Sequence, residues 1–185
     1  EHMQADDGGS AYLRLSTRAL AQPEREMTPT LEAEVLAGAY WQVPPTEGAE
    51  LAIAYTGAVA PEAEAAHRAI LEDIPGAGLL AITSADLAYR EWNHAWRHRS
   101  KGQLGVRSHI GQLLDPLAPD AAIITVIDGH PSTLSWLGSA SRRRVFSLGV
   151  EQFGQSGDIP DLYRLYGIDA EAILDACAAA CLSRG

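Results

Sequence analysis

Apolar and polar positions along this chain follow two rhythms. Residues 11–17 (AYLRLST) alternate and predict a short strand. Glu50 to Ala60 (ELAIAYTGAVA) predicts a longer strand that runs into a glycine turn. Leu79 to Thr83 (LLAIT) and Ala121 to Ile127 (AAIITVI) are almost unbroken apolar runs. Such runs suit strands of a parallel sheet covered on both faces. Arg144 to Gly149 predicts a final strand, and Glu34 to Val43 a further one, closed by Pro44-Pro45.

Between these runs the spacing turns helical. Pro61 stands at the first position of a helix reaching about Asp73, where its missing N–H costs nothing, and Pro75-Gly76 stops it. Ser84 or Asp86 caps a helix carrying Leu87, Trp92 and Trp96, followed by a polar loop over Arg97 to Arg107. His109 to Leu117 predicts a helix ended by Pro119, and Thr133 to Ala140 another. Ala19 to Thr30, with Pro23 and Pro29, reads as a linker. Strand and helix alternate about four times with connections long enough for crossovers. The expected architecture is therefore α/β: three layers, a mostly parallel or mixed sheet of about five strands, helices on both faces.

Composition narrows the class. The chain of 185 residues is 46% apolar, enough for one substantial core. Its net charge of −10 argues against nucleic acid and anionic membrane as partners. No apolar run reaches the roughly 20 residues of a membrane span. Cys177 and Cys181 are the only cysteines, which excludes a disulfide scaffold, and the expected location is the cytoplasm. Glu1-His2-Met3 reads as an expression-tag remnant.

The closing stretch has the clearest punctuation. Asp158 caps a helix over Ile159 to Tyr166, with Pro160 in its first turn, and Gly167 supplies a left-handed C-terminal residue. Asp169 caps the last helix, whose apolar stripe is expected to hold Ala170, Ile173, Leu174, Cys177, Ala178, Cys181 and Leu182. The strand Val145–Gly149, the turn Phe153-Gly154 with Ser156, the pair Leu162-Tyr163, then Gly167-Ile168 and Asp169 follow in order. In this order they resemble the C-terminal domain of the transketolase family. Asp158-Ile159-Pro160 is similar to a motif of decarboxylase β-subunits. Gly149-Val150-Glu151 and Asp128-Gly129-His130-Pro131 resemble the branch that holds the decarboxylating first component of pyruvate and other 2-oxo acid dehydrogenases. The resemblance covers residues 120–175 well and 35–118 less well.

The resemblance implies three segments: the tag remnant at 1–3, the last strand of a preceding pyrimidine-binding domain plus linker at 4–33, and the transketolase-like C-terminal domain at 34–185. It implies a structural, dimer-forming role at the active-site entrance. Thiamine diphosphate and magnesium would sit between the enzyme's other domains. That chemistry needs a Gly-Asp-Gly motif with a downstream asparagine, and the sequence has no Gly-Asp-Gly. No catalytic residue is carried over, no metal site is expected, and the isolated chain is expected to be inactive. Implied partners are the remaining domains, a second copy in a homodimer, and an acyltransferase component of a dehydrogenase complex. A transketolase or 1-deoxyxylulose-5-phosphate synthase domain stays open as an alternative, as does a free-standing α/β binding or scaffold protein.

Asp128, Gly129, His130 and Ser132 form the best local candidate site. They follow a central strand and precede a helix, where open α/β sheets present ligand loops and a helix N-terminus attracts anions. His130 has a substrate, a partner domain or the Asp128 carboxylate as candidate partners. Glu151, Phe153, Gly154, Ser156 and Asp158 are candidate ligand or interdomain contacts. Gly76-Ala77-Gly78 precedes a strand, the wrong context for a dinucleotide fingerprint. Serine-nucleophile signatures are missing. Arg142-Arg143-Arg144 is a candidate for salt bridges across a dimer.

Overall fold

The computed structural model describes residues 6–10, 16, 18–21, 24–152 and 154–183. The strand expected at 11–17, the tag remnant at 1–3 and Phe153 lie outside the described residues, apart from Ser16.

Five strands form one sheet in the order β1-β3-β2-β4-β5. They are β1 (Ala39–Val43), β2 (Ala49–Thr56), β3 (Gly78–Ile82), β4 (Leu117–Ile127) and β5 (Arg144–Leu148). The pairs β2–β3, β2–β4 and β4–β5 are parallel, and only β1 runs antiparallel, against β3. The expected three-layer, mostly parallel α/β architecture is thus observed.

Side-chain alternation along the central strands builds two cores. Leu51, Ile53 and Tyr55 of β2, with Ala122, Ile124 and Val126 of β4, face one side. There they meet α2 (Ala60–Ile70), α7 (Ile159–Tyr166) and α8 (Ala170–Leu182) through Ala63, Ala66, Tyr163, Ile173 and Cys177. Ala52, Ala54 and Ile123 face the other side. They pack on α4 (His109–Leu113), α5 (Ser132–Ser135) and α6 (Leu137–Ser141) through Ile110, Leu134 and Leu137. Trp92 of α3 (Ala85–Ser100) joins this second core from the rim.

Several expected boundaries move. Glu34 to Val43 is not one strand. Thr28 caps a helix α1 (Pro29–Ala37), accepting from the Leu31 N–H at 3.2 Å, and Gly38 ends it at φ 104° before β1 begins. α1 thereby runs across residues 33 and 34. The glycine turn after β2 is a 3-10 turn, Gly57–Val59, so that strand ends at Thr56. α2 ends at Ile70, three residues early, where Ile74 N–H donates back to the Ile70 carbonyl at 2.8 Å. α3 continues through Arg97 to Ser100, so the polar loop is shorter than expected. α4 stops at Leu113, and Leu117 already belongs to β4. Proline is tolerated at position 119 because β2 and β4 pair at Ala49–Leu117 and next at Leu51–Ala122. The extra residues bulge out of the ladder, where no N–H is needed. The helix expected over Thr133 to Ala140 is two short helices. Trp136 between them keeps helical dihedrals (φ −63°, ψ −17°), so the break lies in hydrogen bonding rather than direction.

The closing stretch forms as expected. Asp158 accepts from Asp161 N–H at 3.1 Å, Asp169 from Ala172 N–H at 3.0 Å, and Gly167 is left-handed at φ 63°. The stripe of α8 differs in detail. Ile173, Cys177 and Ala180 are buried, while Ala178 and Leu182 are exposed. Two residues of the arginine run make bonds within the chain. Arg143 Nε donates to the Ala118 carbonyl at 2.7 Å, and Arg144 donates to Ser183 and Ala180 carbonyls at 3.2 Å each, closing the end of α8. Cations at a helix C-terminus are favoured there.

Two outcomes follow from these contacts. Gly167→Val should lower the thermal midpoint by roughly 2–4 °C or more, because a β-branched residue in the left-handed region costs over about 1 kcal/mol. Gly105→Ala, with open space around it and no left-handed backbone, should leave the midpoint unchanged in the same scan. Burial pushes the Cys177 thiol up to about 12, with Cys181 adding to the shift. Cys177 should therefore resist alkylation at neutral pH until the protein is denatured, whereas half-buried Cys181 should label in the native state. Mass spectrometry of the alkylated peptides distinguishes the two.

Candidate functional site

Chain order places the candidate site. From β2 the chain crosses to β3 on one side, then returns to β4 on the other side of β2. The topological switch point therefore lies between the C-terminal ends of β2 and β4, where open α/β sheets leave a crevice. The loops at that point are Gly57–Val59 and residues 128–131.

Asp128 sits on this rim, exposed, and accepts a hydrogen bond from the Tyr163 hydroxyl of α7 at 3.2 Å. Burial, and after it the Asp128 charge, push the Tyr163 phenol up to about 12. Tyr163 therefore stays protonated at neutral pH and acts as the donor. Arg18 lies across the same ring, its guanidinium carbon 5.5 Å from the ring centre. The Glu62 carboxylate pairs with Arg18 at 2.9 and 3.0 Å and raises its pKa. An open cleft of about 460 Å³ continues from this group between α2 and the starts of α7 and α8, past Pro61, Ile159 and Glu171.

His130 does not reach Asp128. Its Nδ1 accepts from the Ser132 N–H at 3.2 Å and contacts the Ser132 hydroxyl at 2.7 Å. α5 has four residues, and its first N–H donates to His130 Nδ1. Gly149 and Val150 do come together with this loop. Val150 N–H donates to the Gly129 carbonyl at 2.7 Å. Glu151, Gly154 and Ser156 are exposed in a stretch with no helix or strand. Asp158 is occupied as the cap of α7. The sequence thus marked two neighbouring loops and missed Arg18 and Glu62. These lie 44 residues apart and belong to no common motif, so no local signal marks them.

Among the described residues no group of three or more His, Cys, Asp or Glu is placed to hold a metal ion. The two carboxylates of this rim, Glu62 and Asp128, are engaged by Arg18 and Tyr163, a donor set that does not fit magnesium and a diphosphate. No described helix is long and apolar enough to cross a membrane.

No family model matches the sequence, and no curated protein matches it at a significant level. Solved structures do match. A transketolase from Leishmania mexicana is 17% identical with TM-score 0.54, over 83% of this chain and 19% of its own. A transketolase from Pichia stipitis in complex with sedoheptulose-7-phosphate is 21% identical with TM-score 0.52, over 80% and 18%. A split-gene transketolase, described as an inactive beta4 tetramer, is 17% identical with TM-score 0.52, over 88% and 46%. The chain spans about a fifth of the length of the first of these. At these identities the likeness is one of fold: a mixed, mostly parallel five-stranded α/β domain like the transketolase C-terminal domain.

Gly149 tests the joint between the two loops. A Cβ there would stand 2.5 Å from the Gly129 carbonyl oxygen and 2.8 Å from Pro131 N, both backbone atoms. Gly149→Ala should therefore cost about 1–3 kcal/mol, the usual range for forced overpacking. At Gly129 the nearest atoms to an added Cβ are 3.5 Å away, so Gly129→Ala should be close to neutral. Equal denaturation midpoints for the two variants would show that the loops do not meet.

Proposed function

We propose that this chain is the C-terminal domain of a thiamine-diphosphate-dependent enzyme of the transketolase family. Its role there is to hold the other domains and a second subunit, and to shape the entrance to a cofactor site that lies outside it. The observation that carries this reading is the fold likeness to transketolases, extending over 83% of this chain in one case and 88% in another. The ordered motif from Val145 to Asp169, with its three caps formed, supports it.

Two branches differ in substrate. The solved structures are described as transketolases, one with a bound ketose phosphate, which favours ketol transfer between sugar phosphates. The stretches Asp128–Pro131 and Gly149–Glu151 resemble the 2-oxo acid dehydrogenase branch instead, and on that branch alone an acyltransferase component would be a partner. In either case Asp128, His130, Glu151 and Ser156 are contact residues at the entrance or at a domain boundary. Their exposure suits that role.

The isolated chain should give no heat of binding when titrated with thiamine diphosphate and magnesium, since the diphosphate anchor is missing from its sequence. Micromolar affinity in that calorimetric titration would overturn the reading. Turnover assays on the enzyme containing this segment separate the branches. Decarboxylation of a 2-oxo acid with an artificial electron acceptor marks the dehydrogenase, and transfer between sugar phosphates marks the transketolase. An absence of both in the presence of cofactor and magnesium would leave the free-standing binding protein as the better account.

A further inference from the structure

The group at the switch point has a specific chemistry that neither the fold nor the proposed enzyme requires. Both terminal nitrogens of Arg18 face Glu62: Nη1 donates to Oε2 at 3.0 Å, and Nη2 lies 2.9 Å from Oε1. This is the two-pronged geometry in which planar guanidinium and planar carboxylate match. Nη1 also reaches the Ala58 carbonyl at 3.3 Å, in the turn after β2. The guanidinium carbon stands 5.5 Å from the centre of the Tyr163 ring, whose hydroxyl donates to Asp128. The paired side chains are only 24% and 15% exposed, so water competes weakly for either. A forked carboxylate, a carbonyl at its edge and an aromatic floor together make a receptor for a guanidinium, and an ammonium would use only part of it.

We propose that the switch-point crevice is a guanidinium-recognition site which the chain fills with its own Arg18, so that the segment entering the domain is clamped to the C-terminal edge of the sheet. Around Arg18, residues 16 and 18–21 form no helix or strand. Arg18 is then the anchor that gives this segment a fixed path. The inference stands apart from the enzyme reading: it concerns residues of this chain alone, and its failure would leave that reading untouched.

The test uses backbone relaxation by nuclear magnetic resonance on the whole chain. In the native protein the amides of residues 18–21 should show order parameters near those of rigid backbone, about 0.85. Arg18→Gln, Arg18→Lys and Glu62→Gln should each drop them below about 0.6, the flexible range, with the rest of the spectrum unchanged. L-argininamide titrated at millimolar concentration into Arg18→Ala should shift the resonances of Ala58, Glu62 and Tyr163, and lysinamide should not. Retained order in Arg18→Lys would show that charge alone holds the segment and would overturn the proposal. So would an argininamide titration that leaves those three residues unmoved, or one that lysinamide reproduces.

Discussion

β2 and β4 have no polar face over their central residues. Leu51 to Ala54 and Ala121 to Val126 are buried on both sides, and everything else in the molecule follows from covering them. A strand with one wet face can end a sandwich, but these two must be packed above and below. Their faces also differ in bulk. On β2, Leu51, Ile53 and Tyr55 point toward α2 and α8, while alanines point toward α4 and α5. The buried Thr125 hydroxyl on β4 donates to the Ser147 hydroxyl of β5 at 3.1 Å and is so satisfied within the sheet.

Covering both faces forces long crossovers, and the crossovers decide where the rim is. Because the chain leaves β2 toward β3 and returns beyond it to β4, the loops after β2 and β4 diverge there. α7 then delivers Tyr163 to that gap, and the N-terminal segment delivers Arg18. At the opposite end of β4, Arg143 holds the Ala118 carbonyl, in the bulge that also carries Pro119. The strand therefore has one end spent on structure and one end free to carry contacts.

How much of this was readable before the fold depended on distance along the chain. Asp158, Gly167 and Asp169 act within four residues of themselves, and each formed as expected. The helix α1 had equally local signals, Thr28 before Pro29 and Gly38 after Ala37, but the apolar run into Tyr40 and Trp41 imitates a strand. Pro119 misled for the same reason: a proline ends a helix or sits in a bulge, and only the partner strand shows which. The loops at 128–132 and 149–151 were legible as candidates, while their junction through Gly149 is a tertiary fact. Arg18 and Glu62 lay beyond reach, since no periodicity links a linker residue to the first turn of α2.

The rim's ionisable groups also show what kind of work they do. Glu62 holds a guanidinium, Asp128 a phenol, Asp158 and Asp169 helix N–H groups, and His130 Nδ1 a backbone N–H. Acid–base chemistry calls for a group poised near the working pH with its proton free to move. Tyr163 is displaced the other way, up to about 12, and its proton is aimed at Asp128. Side chains engaged in this manner fix positions: of the incoming segment, of α7, and of the loop beside Gly149.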